Sequence, residues 1–271
     1  MKLRRPHKLS RARKAAKWLL DAHQRRERFG PMPPELAPRT SEEAYLIQDD
    51  FVALRADELG PVVGYKIALT TPQMRKMMGV DSPQAGAMLE STIRRSPATV
   101  RAADFVNLIV EFELAIEIAE DLPAADAPFS RERVAQAVGA VMPAFELLDD
   151  RGADYAEVAK RPLELAADNA WNEGAVLGEP VRDWRGIDLG AVRGVATLNG
   201  KLAGEGRGSD AMGHPFEAVA WLAGQLAASG RGLLRSEVVL TGSLVTTKRV
   251  KAGDLVKFSV ERLGEIELRV E

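Results

Sequence analysis

Cysteine is absent from the 271 residues. That excludes disulfides, thiol nucleophiles and cysteine-ligated zinc. Histidine is scarce, with His7, His23 and His214 far apart, so a multi-histidine zinc or copper centre has no ligands to build on. Any bound metal should be a hard, oxygen-preferring ion. No run of about 18 apolar residues occurs, which gives no transmembrane helix. Neither sign of charge dominates: 37 Lys and Arg stand against 39 Asp and Glu. The one lopsided stretch is the start, "MKLRRPHKLSRARKAAKWLLDAHQRRERFG", whose first acidic residue is Asp21. It lacks the apolar segment of a secretory signal. An Arg-rich start of this kind suits a transit peptide or a solvated first helix, and the stripe Ala15, Trp18, Leu19 and Ala22 favours the helix. No recognised nucleic-acid motif accompanies the basic residues, so no nucleic-acid partner is expected, and the expected location is the cytoplasm.

What is present is ordinary for a globular chain: 46% hydrophobic and 28% charged residues. "PMPPELAP" reads as a rigid connector. "TSEEAYLIQDDFVALRADELG" reads as a helix capped by Thr40 or Ser41, with Ala44, Ile47, Gln48 and Phe51 at helical spacing. "PVVGYKIALT" predicts a strand, "TPQMRKMMGV" a short helix with Pro72 in its first turn, and "DSPQAG" a loop. "FSRERVAQAVGAVM" predicts a helix capped at Ser130. "RGVATLNGKLAGEGRG" alternates around Asn199-Gly200, a hairpin signal. "PFEAVAWLAGQLAASG" predicts a helix ending at Gly230, and "EVVLTGSLV", "DLVKFSVERLG" and "EIELRVE" predict strands. Repeats and low-complexity tracts are absent. The expected organisation is a helical segment over 1–60 followed by one α+β domain over 61–271.

The stretch "IVEFELAIEI" has the period of a strand, with Val110, Phe112, Leu114, Ile116 and Ile118 on one face. Its other face carries Glu111, Glu113, Ala115 and Glu117. Glu is depleted in strands, and neighbouring like charges repel. The face is either wet or converges on a cation. "PAFELLDDR" puts Glu146 in an apolar segment, where a carboxylate must be paired, hydrogen-bonded or metal-bound. Three monodentate carboxylates would leave three positions of an octahedral Mg²⁺ open, enough for a bidentate 2-oxo acid and a water. Lys66, among apolar neighbours in "GYKIALT", is either a paired lysine or a cation facing a substrate. Burial near a metal should lower its pKa and suit it to proton transfer.

In order, "GYKIALT", "GVDSPQAG", "VEFELAIEI", "PAFELLDDR", "ADNA" and "GRGSDAMGHPFEAVAWLAGQLAASGRGLLRSEVVLTGSL" resemble the fumarylacetoacetate hydrolase superfamily over roughly residues 41–271. The chain is most similar to its 2-keto-4-pentenoate hydratase and 4-oxalocrotonate decarboxylase branch. The resemblance implies a mixed, rolled β-sheet core with flanking helices, and a homo-oligomer, dimer or larger. It implies that Glu111, Glu113 and Glu146 hold Mg²⁺ or Mn²⁺, that Lys66 acts in catalysis, and that Asp168, Thr241 and Gly242 meet the substrate. Glu117 has no such role, and His214 is expected to support the site at most. Gln84 takes the catalytic position with a departure: hydratases read P-D-x-G here, this chain "SPQAG", and an amide can orient a water or a carbonyl but cannot exchange a proton at neutral pH. The implied reaction is hydration of a 2-hydroxy-2,4-dienoate during aromatic-ring catabolism, with decarboxylation of a 2-oxo-3-enedioate as the alternative. A non-catalytic partner subunit of the same fold is a further alternative, but its signature, a missing metal ligand, is not found. Carbon–carbon hydrolysis needs a histidine acid/base pair, and His7 and His23 lie outside the matched stretch.

Overall fold

A computed structural model describes residues 10–271. Residues 1–9, with His7 and part of the basic start, lie outside the described residues. Two helices come first, α1 (Arg11–Gln24) and α2 (Ser41–Leu59). The Ser10 hydroxyl accepts the Arg13 N–H to start α1, and Thr40 accepts that of Glu43 to start α2. Ala15, Ala16 and Leu19 of α1 pack against Ala44, Ile47 and Phe51 of α2, so the amphipathic stripe read from sequence is the buried seam. No described helix is long and apolar enough to cross a membrane.

The rest alternates strands and helices: β1 (Val62–Ala68), α3 (Pro72–Met78), β2 (Gln84–Leu89), β3 (Ile93–Arg95), β4 (Ala98–Val100), β5 (Leu108–Ile118), α4 (Arg131–Ala137), β6 (Val138–Asp149), α5 (Tyr155–Val158), α6 (Pro162–Ala167), β7 (Asn172–Leu177), β8 (Arg193–Leu198), β9 (Lys201–Arg207), α7 (Pro215–Ala228), β10 (Val238–Leu240), β11 (Val245–Arg249), β12 (Leu255–Val260) and β13 (Gly264–Val270). Eight strands form one sheet in the order β2-β1-β10-β5-β6-β7-β3, with β11 also paired to β5. Five form a second, β4-β13-β12-β8-β9. Parallel pairs β1–β10, β3–β7 and β4–β13 sit among antiparallel ones, giving the mixed-sheet α+β architecture that the resemblance implies.

Two local expectations change. Gln84 opens strand β2 instead of sitting in a loop, because β2 pairs antiparallel with β1, Gln84 opposite Ala68. The helix capped at Ser130 stops at Ala137, and Val138 to Met142 join β6. Pairing with β5 and burial of Val138 and Val141 override the helical propensity of that run. The Asn199-Gly200 hairpin forms as read, with both residues at positive φ (53° and 75°).

Along β5, Val110, Phe112, Leu114, Ile116 and Ile118 all point into the main core. Phe112 and Phe145 of the large sheet meet Phe258 of the small sheet, with ring centroids 5.6 and 6.5 Å from it. This aromatic trio joins the two sheets. Phe258→Ala should therefore cost about 3–5 kcal/mol of stability, measured as a lowered denaturant midpoint with an unchanged slope.

Candidate metal-binding active site

The opposite face of β5 is not wet. Antiparallel register puts Glu111 directly across from Glu146 on β6, and Glu113 across from Ala144. Ala115, Ala140, Met142, Ala144, Ala175 and Leu240 pave the same face as a second apolar cluster. Glu113 and Glu146 are 0% exposed and Lys66 1%, with Glu111 half-buried. The three glutamates bring one carboxylate oxygen each within 4.8 Å of one another. Glu117, further along, leaves this group and pairs with Arg182 at 2.8 Å.

Two of the three carboxylates are oriented by specific neighbours. Glu113 Oε2 accepts the Gly242 N–H at 2.6 Å. Glu146 Oε1 accepts from the Asn172 side-chain amide at 2.9 Å and lies 3.0 Å from Lys66 Nζ. Among the described residues, Glu113 Oε1 and Glu146 Oε2 are buried with no hydrogen-bond partner. An ionised oxygen left so in an apolar setting is strongly unfavourable. Three carboxylates and one ammonium leave two negative charges uncompensated, the charge of one divalent cation. Hard oxygen donors, matching charge and orphaned oxygens fit Mg²⁺ or Mn²⁺.

Burial, reinforced by the Glu146 carboxylate, pushes Glu111 up to about 7. Burial and the two neighbouring glutamates hold Glu113 well above the ordinary carboxylate range. In the metal-free protein Lys66 is pulled in two directions. Burial alone would lower its pKa, but Glu146, Glu111 and Glu113 together outweigh that and raise it.

Other residues named from sequence have definite surroundings. Gln84 is buried, its amide donating to the Pro162 carbonyl at 2.8 Å while its Oε1 has no partner. Thr241 donates both its hydroxyl and its N–H to the Leu114 carbonyl. Gly242 has φ +105°, and a Cβ there would lie 2.4 Å from Thr70 Cγ2. Thr241-Gly242 thus spends its donors on fixing β5 and Glu113. Asp168 is fully buried, with Oδ1 2.5 Å from His23 Nε2 and Oδ2 paired with Arg151. Both oxygens of its carboxylate are engaged by those partners. His23 and Arg151 outweigh burial and hold Asp168 below its ordinary value. His214 caps α7 by accepting the Phe216 N–H at Nδ1, 3.0 Å, and burial lowers its pKa to about 4.

Sequence reasoning missed Asn172, His23 and Arg151. Asn172 lies four positions beyond Asp168, and the β6–β7 pairing puts it beside Glu146. His23 is 145 residues from Asp168, so no local pattern could link them.

Residues 65–271 match the family model for the fumarylacetoacetate (FAA) hydrolase C-terminal region. The chain is 32% identical over 243 residues to the 2-hydroxyhexa-2,4-dienoate hydratase of Comamonas testosteroni, covering 89% of this chain and 90% of that protein. It is 32% identical over 251 residues to the 2-keto-4-pentenoate hydratase of Paraburkholderia phymatum, covering 92% and 93%. Among solved structures, the 4-oxalocrotonate decarboxylase from Pseudomonas putida G7, complexed with magnesium and adipate, superposes with a TM-score of 0.88 at 24% identity. That match covers 97% of this chain and 99% of that one.

Two outcomes test the site's electrostatics and geometry. In the metal-free protein, folding raises the Glu111 pKa from an ordinary 4.5 to about 7. The folded state then binds more protons than the unfolded chain within that window. The contribution of this group is present below the window and is lost as pH rises through it. Between about pH 5 and about pH 8 the metal-free wild type should lose stability relative to Glu111→Gln. Mn²⁺ should restore it in the wild type only, as followed by chemical denaturation. Gly242→Ala, strained at that φ and crowded by Thr70, should weaken Mn²⁺ binding about tenfold or more, on the scale of losing an outer-shell partner, measured by calorimetry.

Proposed function

The chain belongs to the fumarylacetoacetate hydrolase family, and from that premise we propose that it is a metal-dependent lyase adding water to a short 2-hydroxy-2,4-dienoate. The observation that carries this reading is the Glu111, Glu113 and Glu146 set, with two orphaned buried oxygens beside a buried lysine. Relatives about one-third identical over most of their length are named hydratases of such acids, in keeping with aromatic-ring catabolism.

Glu111, Glu113 and Glu146 would hold Mg²⁺ or Mn²⁺. A bound cation would supply Lewis-acid polarisation of the 2-oxygen of a chelating 2-oxo or 2-hydroxy acid. The chain's own residues do the rest. Gly242 and Asn172 fix two of the carboxylates before substrate arrives, so no reorganisation is needed. Lys66 Nζ lies 3.0 Å from Glu146 Oε1, at the edge of the acidic group. One of its three N–H bonds serves Glu146, and the others can orient the substrate's carboxylate or deliver a proton to it. Paving by alanine, methionine and leucine keeps bulk water from the sheet face.

Gln84 favours a second reading. Its free Oε1 can accept a hydrogen bond, but the amide cannot exchange a proton. A decarboxylation of a 2-oxo-3-enedioate needs no such acid at that position, and a decarboxylase shares the fold.

Purified protein, Mg²⁺ and 2-hydroxypenta-2,4-dienoate, followed by NMR, separate the two. Formation of a 4-hydroxy-2-oxo acid that EDTA abolishes is the expected result. No turnover, with metal binding intact, points to the enedioate. Glu113→Gln should lower Mg²⁺-dependent turnover by more than the roughly 10–100-fold typical of losing an outer-shell partner. Near-normal activity in that variant would sink the ligand assignment.

A further inference from the structure

The amino-terminal helix reaches the site through one side chain. His23, near the end of α1, sits with its ring 5.0 Å from that of Phe51 on α2. Its Nε2 lies 2.5 Å from Asp168 Oδ1 and its Nδ1 3.4 Å from Glu173 Oε1. Arg151 holds the other oxygen of Asp168. Arg55 bonds both oxygens of Glu173, at 3.0 and 2.5 Å. The histidine therefore bridges one buried and one half-buried carboxylate, each backed by an arginine.

Asp168 closes α6 and begins a turn of an unusual kind. Asn169, Ala170 and Trp171 have φ of 52°, 46° and 63°, three consecutive left-handed residues without a glycine. Such a run persists only where its surroundings fasten it. The fastenings are the Asp168 carboxylate, the Asn169 amide clamped on the N–H and carbonyl of Ala87 (2.7 and 2.8 Å), and the Trp171 ring edge-on to Phe29. The turn delivers Asn172, whose amide holds Glu146 Oε1. The Asn169 carbonyl also presses on Gly86, where a Cβ would lie 2.7 Å from it and 3.1 Å from Lys66 Cδ. A turn released at Asp168 would disturb Glu146 through Asn172 and crowd Lys66 past Gly86.

We infer that His23 is a positioning residue for the metal site: through Asp168 it fixes the left-handed turn that presents Asn172 to Glu146. This rests on the reading of Glu111, Glu113 and Glu146 as metal ligands, and not on which reaction the site performs. His23 touches neither those carboxylates nor a substrate. With a carboxylate at each ring nitrogen, it is no free base for hydrolytic chemistry.

The test is a double-mutant cycle on Mn²⁺ affinity, measured by calorimetry on the full chain in the absence of substrate. The proteins are wild type, His23→Ala, Asn172→Ala and the double variant. Each single change is expected to weaken Mn²⁺ binding about tenfold, and the double variant to be little weaker than the worse single one. A merely stabilising His23 would give unchanged affinity, or effects that multiply, and either overturns the inference. Should His23→Ala fail to fold, His23→Gln takes its place in the cycle, its amide still able to donate to Asp168. It should lie between wild type and Asn172→Ala, and an affinity equal to wild type together with a multiplying double variant would count against the inference. No Mn²⁺ binding by the wild type would remove the metal-site reading and this inference with it. Wild-type binding without dienoate turnover would remove only the hydratase assignment.

Discussion

Electrostatic repulsion among three carboxylates on a dry sheet face is the constraint from which the rest of the site follows. Two unit charges about 4 Å apart repel by about 4 kcal/mol at an effective dielectric of about 20. A chain that keeps Glu111, Glu113 and Glu146 together must either protonate them or meet them with positive charge. Lys66 supplies one positive charge, drawn to the group strongly enough that burial does not neutralise it. The remainder is what a divalent cation would cancel. The donors that do reach these carboxylates, Gly242 N–H and the Asn172 amide, leave one oxygen each of Glu113 and Glu146 free.

Because the acids repel, their positions have to be imposed by the backbone. The antiparallel β5–β6 ladder does this by placing Glu111 opposite Glu146. A slip of one residue would turn every glutamate into the aromatic core on the other face. That core, built on Phe112, Phe145 and Phe258, therefore enforces the register that the acidic face needs. Stability on one side of the sheet offsets electrostatic strain on the other.

A second strain is conformational. Left-handed backbone costs roughly 1–2 kcal/mol per residue outside glycine, and Asn169, Ala170 and Trp171 adopt it in succession. It is concentrated where the chain must pass from α6 into β7 and still present an amide to Glu146. The buried ion pairs around His23, Asp168 and Arg151 hold the entrance of that passage. Such pairs add little net stability against apolar packing, but breaking one is costly. They act here as geometric fixtures joining the two amino-terminal helices to the sheet.

Local pattern alone determined much of this protein. The period of two in β5, the caps at Thr40 and Ser130, the Asn199-Gly200 turn and the apolar stripe of α1 are set by neighbours a few residues away, so they can be read one segment at a time. The order of six short motifs, from "GYKIALT" to the stretch ending in "LTGSL", pointed to the family. Other features depended on partners distant in the chain. The run after Ala137 became strand because β5 was there to pair with it, and Gln84 became strand because β1 was. Asp168 gave its carboxylate to His23 and Arg151, and Thr241-Gly242 gave its donors to β5, because only the packed fold brought those groups within hydrogen-bond distance. The raised Lys66 pKa is of the same kind. A sequence shows which residues carry charge, but the sign of a pKa shift depends on how many opposite charges the tertiary structure gathers around a buried group.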